Sequence, residues 1–234
     1  MPIDDAVHAR LRAAAGPYRL SLAAHDLVSG ATVTYRPHER YLTASVGKIA
    51  ILTVLLVQAQ AAGRELSAEE RALADKMITI SDNDAAHELW RATGRDAAMA
   101  AVGAALGLTE TVTTPESWGL TRTSAADQVR LVTALATGTP VLDRERCAYV
   151  LDLMAAVRAD QRWGIGTVAR PGDRVALKDG WLDYSGDDGR WTVNSVGRVT
   201  GDGRDLVVAV LSNDHATLEE GIRAVERAAA TVIS

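Results

Sequence analysis

The spacing of apolar and polar positions changes along the chain. Residues 4–15 repeat apolar positions at helical intervals, which predicts an amphipathic helix. Residues 19–25 and 31–35 have the apolar alternation of strands. Because turn-forming residues at 28–30 lie between them, the two strands are predicted to form a hairpin.

A strongly apolar helix is predicted next, over residues 45–62, and Gly63 closes it. Helical patterns then dominate until Pro171, after which the pattern changes to strands. One predicted helix begins at Ser67, where the sequence fits a capping box. Three further helices are predicted over residues 84–92, 124–136 and 144–158. The predicted strands span residues 175–178, 190–199 and 205–211, and a final helix spans residues 218–233.

This order of elements predicts an α/β (α+β) fold. A sheet that contains strands from both chain ends, flanked by helices, is the simplest arrangement. We expect one domain over residues 1–234, with a sheet lobe at about residues 1–44 and 172–234. A helical lobe is expected as one continuous insertion at about residues 45–171.

Composition and charge exclude several functions. The chain is 47% hydrophobic and 24% charged, which is typical of a soluble globular protein. A net charge of -5 without polybasic runs argues against nucleic acid and membrane surfaces as partners. One cysteine, Cys147, excludes an internal disulfide, and the five histidines show no metal-binding spacing. We therefore expect no metal and no other cofactor.

Two features bear on location. The N-terminus has no basic segment followed by an apolar stretch, so it does not resemble a secretory signal. The longest apolar run, residues 49–57, is interrupted by Thr53 and is too short to span a bilayer. The sequence as written predicts a cytoplasmic protein.

A first candidate motif is Ser45-x-x-Lys48, at the start of the apolar helix. Residues three apart share a helix face, so the Lys48 nitrogen is expected to reach the Ser45 oxygen. A lysine kept neutral by burial can take the serine proton and create a nucleophile. Only three of the 25 Lys and Arg residues are lysines, and two of them lie in motifs. The alternative is a surface serine that caps the helix.

A second motif, residues 81–83, reads Ser-Asp-Asn before the helix at 84–92. The Ser81 hydroxyl can relay a proton to a leaving group, and the Asn83 amide can bind a substrate amide. The alternative is an ordinary helix cap, because all three residue types favour that position.

The third motif, residues 178–181, reads Lys-Asp-Gly-Trp at the end of an apolar strand. Lys178 can supply positive charge to an anionic substrate group, and Gly180 lets the strand backbone approach a ligand. The N–H group of Trp181 is a candidate oxyanion donor. The alternative is a strand that ends in a turn.

Together and in this order, the motifs resemble the Ser-x-x-Lys, Ser-Asp-Asn and Lys-Thr-Gly set of class A β-lactamases and penicillin-binding proteins. The similarity covers nearly the whole chain. It is strongest to the class A-like serine hydrolases of actinobacteria, through residues 77–86, 161–165, 178–181 and 193–195. The resemblance implies a β-lactamase-like fold with an antiparallel sheet.

The resemblance also implies roles for the matching residues. Ser45 would be the acylated nucleophile, and Lys48 would be its base. Ser81 would carry the proton to the leaving group beside Lys178, and Asn83 would contact a substrate amide.

The resemblance further implies an oxyanion hole formed by the backbone N–H groups of Ser45 and Trp181, while Asp82 is expected to be structural. Trp118 and Trp181 lie beside motif-bearing loops. Each is a candidate for lining the substrate cleft, and packing is the alternative.

The sequence departs from the family in three respects. Residues 108–123 are short and lack the acidic loop that activates water in class A β-lactamases, and Glu116 is the candidate replacement. Asp179 stands where the family has Thr or Ser, and would repel a substrate carboxylate unless an arginine such as Arg190 pairs with it. The third departure is the missing export signal, since β-lactams and cell-wall peptides are met outside the membrane.

These departures favour an intracellular acyltransferase or hydrolase that acts on an ester, amide or thioester through an acyl-enzyme on Ser45, within a biosynthetic pathway. Its expected partners are a small-molecule acyl donor and an amine, alcohol or water acceptor. A β-lactamase or D-alanyl-D-alanine peptidase is the second interpretation. A non-catalytic ligand-sensing domain is the third.

Overall fold

A five-stranded antiparallel sheet organises the protein. The structure is a computed structural model that describes residues 5–184 and 189–232. The strands of this sheet are β1 (Arg19–Asp26), β2 (Thr32–Tyr35), β5 (Arg174–Tyr184), β6 (Arg190–Gly201) and β7 (Arg204–His215). They lie side by side in the order β2-β1-β7-β6-β5. Both chain ends therefore contribute to one sheet, which confirms the predicted fold class.

Both faces of the sheet are covered, because six consecutive residues of β7, 207–212, are buried although side chains alternate between faces. The helices are α1 (Asp5–Ala15), α2 (Gly47–Ala61), α3 (Ala68–Thr79), α4 (Asn83–Ala92), α5 (Arg95–Ala105), α6 (Ala125–Thr137), α7 (Arg144–Ala155) and α8 (Leu218–Ala230). Helices α1 and α8 pack together, α8 lies on β6 and β7, α6 contacts β1 and β7, and α7 contacts β5.

The apolar helix α2 is the centre of the helical part. Most of its residues are buried, including Ile49, Ile51 and Leu52 with no exposed surface. The apolar segment that contains α2 is longer than the apolar run at residues 49–57. By length and composition alone, Ala44–Ala61 is long and apolar enough to cross a membrane. In this structure 72% of that segment is buried inside the protein, as in the core helix of a globular fold.

Several boundaries differ from the predictions. Strand β5 continues past Lys178 to Tyr184, because Asp179 and Gly180 pair with Ser195 and Asn194 of β6 rather than forming a turn. Helix α5 was not predicted, since its Ala-rich and Gly-containing sequence lacks a clear apolar face. A separate pair of short strands, β3 (Arg40–Leu42) and β4 (Arg122–Ser124), was also missed. Helices α7 and α8 end three residues before their predicted ends.

Candidate active site

Ser45 lies in a 3₁₀ turn, Ala44–Val46, immediately before α2. Ala44 has a left-handed backbone with φ of 46°, which is strained for a residue with a side chain. The preceding Thr43 is fixed on both sides: its N–H donates to the Thr121 carbonyl at 2.8 Å and its hydroxyl to the Trp118 carbonyl at 3.2 Å. The strained turn is therefore held by neighbouring segments, and Ser45 itself is half-buried.

Lys48 is fully buried one helical turn after Ser45. Its ammonium nitrogen donates to the Ser81 carbonyl at 2.6 Å, to the Ser81 hydroxyl at 3.0 Å and to Asn83 Oδ1 at 2.8 Å. The expected Lys48–Ser45 hydrogen bond is not formed among the described residues, because these acceptors occupy the three N–H groups of an ammonium. The first two motifs thus meet through Lys48.

The third motif joins the same centre through Lys178. This fully buried lysine donates to the Ser81 hydroxyl at 2.9 Å and to the Asp179 carbonyl at 3.0 Å. Two lysine nitrogens therefore contact one hydroxyl oxygen, whose two lone pairs can accept both bonds while its own proton stays free to be donated. Ser81 also has a left-handed backbone, with φ of 59°.

Burial changes the proton affinity of both lysines. Desolvation and the nearby charge of Lys178 lower the pKa of Lys48 to about 7, against the weaker opposing effect of Asp82. Desolvation also lowers the pKa of Lys178. A substantial share of Lys48 is therefore neutral near pH 7, the form that can accept a proton.

Two residues of the second motif differ in role. Asp82 caps α4, where its carboxylate accepts the N–H of Ala85 at 2.8 Å. Asn83 is exposed, lines the cleft beside Ser45 and accepts the hydrogen bond from Lys48. Asn83 is thus the member of the pair that a substrate can reach.

The backbone of β5 touches the nucleophile turn at Gly180. A Cβ atom at this position would lie 2.9 Å from each of the Ser45 nitrogen, the Val46 nitrogen and the Thr43 carbonyl oxygen. Only glycine allows the strand to approach this closely. The contact brings the next residue, Trp181, into the cleft wall beside Ser45.

Asp179 was predicted to face the substrate, and this prediction is wrong. Its side chain has no exposed surface and does not line the cleft, because alternation along β5 turns it away from the face that Lys178 and Gly180 share. Burial raises the pKa of Asp179 well above its ordinary value, which favours the neutral acid. Arg190 does not pair with it and donates instead to the Asp214 carbonyl at 2.8 Å.

Glu116 also lies outside the cleft, contrary to its predicted place in the site. The side chain is exposed and accepts a hydrogen bond from Thr114. Glu110 is engaged by His38 at 2.8 Å and by the Ser124 hydroxyl. Among the described residues that line the cleft, none carries a carboxylate.

The cleft itself has a volume of about 350 Å³ and opens beside Ser45. Its apolar walls come from tryptophan and leucine side chains, and polar groups line the remainder. The lining residues are Ala44, Ser45, Asn83, His87, Ser117, Trp118, Gly119, Leu120, Trp181 and Leu182. Trp118 is also 4.9 Å from the Lys48 ammonium, measured to the ring centre, so it forms one wall of the buried lysine's site.

Two site residues were missed in the sequence. His87 lies one helical turn after Asn83 on α4, and this four-residue spacing was the signal that could have found it. Asn194 is fully buried in β6 and donates to the carbonyls of Leu42 at 2.8 Å and Thr43 at 3.2 Å. Asn194 thereby ties the sheet to the nucleophile turn. Residues 193–195 were noted only as part of the family resemblance, and a contact with a segment about 150 residues away cannot be predicted from local spacing.

No group of three or more metal-binding side chains occurs within residues 5–184 and 189–232. The groups gathered beside the cleft are a serine hydroxyl, two buried lysines and backbone N–H groups, which suit nucleophilic acyl transfer.

Sequence comparison identifies relatives of the chain. A family model described as "Beta-lactamase enzyme family" matches residues 57–234, which is more than half of the chain. Proteins named "Putative lipoprotein LppW" from Mycobacterium tuberculosis and Mycobacterium bovis are 32% identical over 206 residues. The match covers 84% of this chain and 64% of the relatives, so the chain spans somewhat less than two thirds of their length.

Solved structures share the fold. A β-lactamase from Sphaerobacter thermophilus superposes with a TM-score of 0.84 at 24% identity, over 99% of this chain and 97% of that one. The protein PBP-A superposes with a TM-score of 0.85 at 19% identity, over 100% of this chain and 96% of that one. TLA-1 extended-spectrum β-lactamase gives 0.85 at 15% identity, over 97% of each chain. The resemblance predicted from the motifs is confirmed, and the chain belongs to the β-lactamase enzyme family.

Proposed function

We propose that the protein is an acyl-transfer enzyme in which Ser45 is acylated by an ester, amide or thioester. The acyl group then passes to a small amine or alcohol, and only slowly to water. The buried contact of Lys48 and Lys178 with one Ser81 hydroxyl is the observation that carries the proposal. A nucleophile needs a nearby base and a path for its proton, and this arrangement supplies both.

Acylation follows from the positions of these groups. Neutral Lys48 lies one helical turn after Ser45 and accepts the proton of the Ser45 hydroxyl. The Ser45 oxygen then forms a bond to the carbonyl carbon of the acyl donor. The backbone N–H groups of Ser45 and Trp181 bind the oxyanion. Collapse of the intermediate breaks the bond to the leaving group. The proton travels from Lys48 through Ser81, so Lys48 returns to its neutral form and the leaving group departs protonated.

The lining of the cleft favours transfer over hydrolysis. Hydrolysis of an acyl-enzyme needs a base that activates water, and a positioned general base contributes about 10²–10⁴ in rate. The described cleft residues include no carboxylate for this step, and Glu116 is exposed outside the cleft. An amine or alcohol that binds where the leaving group was held can lose its proton through Ser81 to Lys48, the reverse of the path used in acylation, whereas water lacks the binding contacts that would hold it there.

Hydrolysis of β-lactams or cell-wall peptides is the second candidate, and the family membership favours it. The cytoplasmic location stays a prediction, and the matched relatives carry the word lipoprotein in their names.

A pre-steady-state experiment separates the two candidates. We expect p-nitrophenyl butanoate to give a burst of about one p-nitrophenol per enzyme, followed by slow turnover. Added small amines or alcohols should then raise the steady-state rate without changing the burst. Rapid turnover in water that acceptors do not change, or fast hydrolysis of a penicillin, would support the hydrolase. A folded protein with no burst would favour the ligand-sensing domain.

A further inference from the structure

His87 is a cleft residue with no part in the mechanism above. It lines the cleft beside Ser45 and also the open groove next to it on α4. Its ring is half-buried, and its Nδ1 accepts the indole N–H of Trp118 at 2.8 Å. The two rings meet edge to face with their centres 5.7 Å apart. One side of the imidazole is therefore fixed.

This bond determines which nitrogen carries the proton. An indole N–H can only donate, so Nδ1 must offer a lone pair and the proton of the neutral ring lies on Nε2. Within the described part of the chain, Nε2 has no hydrogen-bond partner, and it is not among the enclosed polar atoms. An oriented N–H donor therefore points to a space that a ligand can occupy.

We propose that His87 Nε2–H donates a hydrogen bond to an oxygen on the acyl group of the substrate. The inference rests on the proposed function and adds a specificity-determining residue to it. The bond would lie on the same α4 face as Asn83, one helical turn further from the nucleophile.

The surrounding surface gives the chemical class of this acyl group. Trp118, Leu120, Trp181 and Leu182 offer apolar contacts, and no arginine is among the cleft residues that the structure describes. Both lysines are fully buried and their donors are directed at Ser81, Asn83 and Asp179. A neutral apolar acyl group that carries an amide or ether oxygen fits this lining, whereas a free carboxylate finds no counterion in it.

The test compares two donors of similar length. The p-nitrophenyl ester of N-acetylglycine carries an amide oxygen, and p-nitrophenyl pentanoate has only hydrocarbon. The measured quantity is the ratio of their acylation rate constants. In His87→Asn, Oδ1 replaces the Nδ1 acceptor for Trp118, but the shorter side chain places no donor at the position of Nε2. In His87→Gln, the amide reaches the position of Nε2.

We expect His87→Asn to lower the ratio of the amide-bearing ester to the hydrocarbon ester about tenfold, because one hydrogen bond is lost. His87→Gln should restore part of the ratio, because its amide can donate a similar bond. Glu88→Gln, an exposed neighbour on α4, is the matched control and should keep the ratio. Equal losses for both donors in His87→Asn, or an unchanged ratio, would overturn the inference and leave the proposed function intact. If neither ester acylates the folded wild-type protein, the inference and the proposed function are both overturned.

Discussion

At Ser81, two buried lysines share one hydroxyl oxygen, and this contact connects all three motifs. Both ammonium groups lie within hydrogen-bond distance of Ser81 Oγ and have no exposed surface. The charge of Lys178 disfavours the charged form of Lys48, and burial removes both ammonium groups from the screening of bulk solvent. The residue-scale consequence is a lysine that loses its proton near neutral pH.

The pH dependence of acylation tests this consequence. Because the neutral form of Lys48 is the base and its pKa is about 7, the acylation rate constant should rise with pH below 7 and level off above it. Stopped-flow bursts between pH 5 and 9 measure this, with Lys76→Met as a control that alters an exposed lysine instead. A profile that is flat through pH 7 would show that another group serves as base.

The chemistry-bearing residues were predictable to the extent that spacing fixes geometry. Ser45 and Lys48 lie three residues apart, and Ser81 and Asn83 lie on either side of the residue that caps α4, so local rules place them. Asp179 was misplaced because its orientation depends on β5 continuing beyond it. Once that strand is extended, alternation alone turns the side chain away from Lys178 and Gly180.

At the scale of elements, the site depends on how closely β5 and the nucleophile turn approach. Gly180 is the point of contact, and the sheet is tied to the same turn by Asn194. The proposed oxyanion hole needs N–H groups from both segments. Its geometry is therefore set by the packing of two elements rather than by either one.

Substitution at Gly180 tests this dependence. Gly180→Ala would place a Cβ atom 2.9 Å from the Ser45 nitrogen, so the strand or the turn must shift. We expect acylation to slow by about 10²-fold or more, comparable to loss of an oxyanion donor.

Gly103→Ala on α5 is the matched control, because its Cβ would meet only the Leu108 side chain, at 3.8 Å. Near-normal acylation by a folded Gly180→Ala protein would exclude the proposed arrangement.

Elements with strong local signals were predicted, and those decided by distant contacts were not. The hairpin of β1 and β2 and the apolar helix α2 follow from alternation and from a long apolar run. The Asp-Gly pair in β5 favours a turn locally, yet its pairing with β6 outweighs that preference. The β3–β4 pair joins segments about 80 residues apart, and neither three-residue sequence contains a local pattern that predicts a strand.

For the whole molecule, burying Lys48 has a cost that depends on pH. The folded protein binds the proton with a pKa of about 7, while the ordinary value is 10.5. Between these values the unfolded chain holds a proton that the folded protein has released, so the free energy of unfolding rises with pH. Below pH 7 the full penalty applies.

Urea unfolding at pH 6 and pH 9 measures this cost. We expect the free energy of unfolding of the wild type to rise by about 3 kcal/mol more than that of Lys48→Met over this range. Lys76→Met, altered at an exposed position, should follow the wild type. The same pH response in all three proteins would mean that Lys48 keeps its ordinary proton affinity.

The most direct test of the account is the intact mass of the protein after incubation with an acyl donor. We predict that p-nitrophenyl butanoate adds one butanoyl group to the wild type, located on Ser45 by peptide mapping, and adds none to Ser45→Ala. The adduct should persist in water and disappear when an amine acceptor is added. An adduct of equal yield in Ser45→Ala, or none in the folded wild type with any ester, thioester or penicillin, would contradict the assignment of Ser45 as the nucleophile.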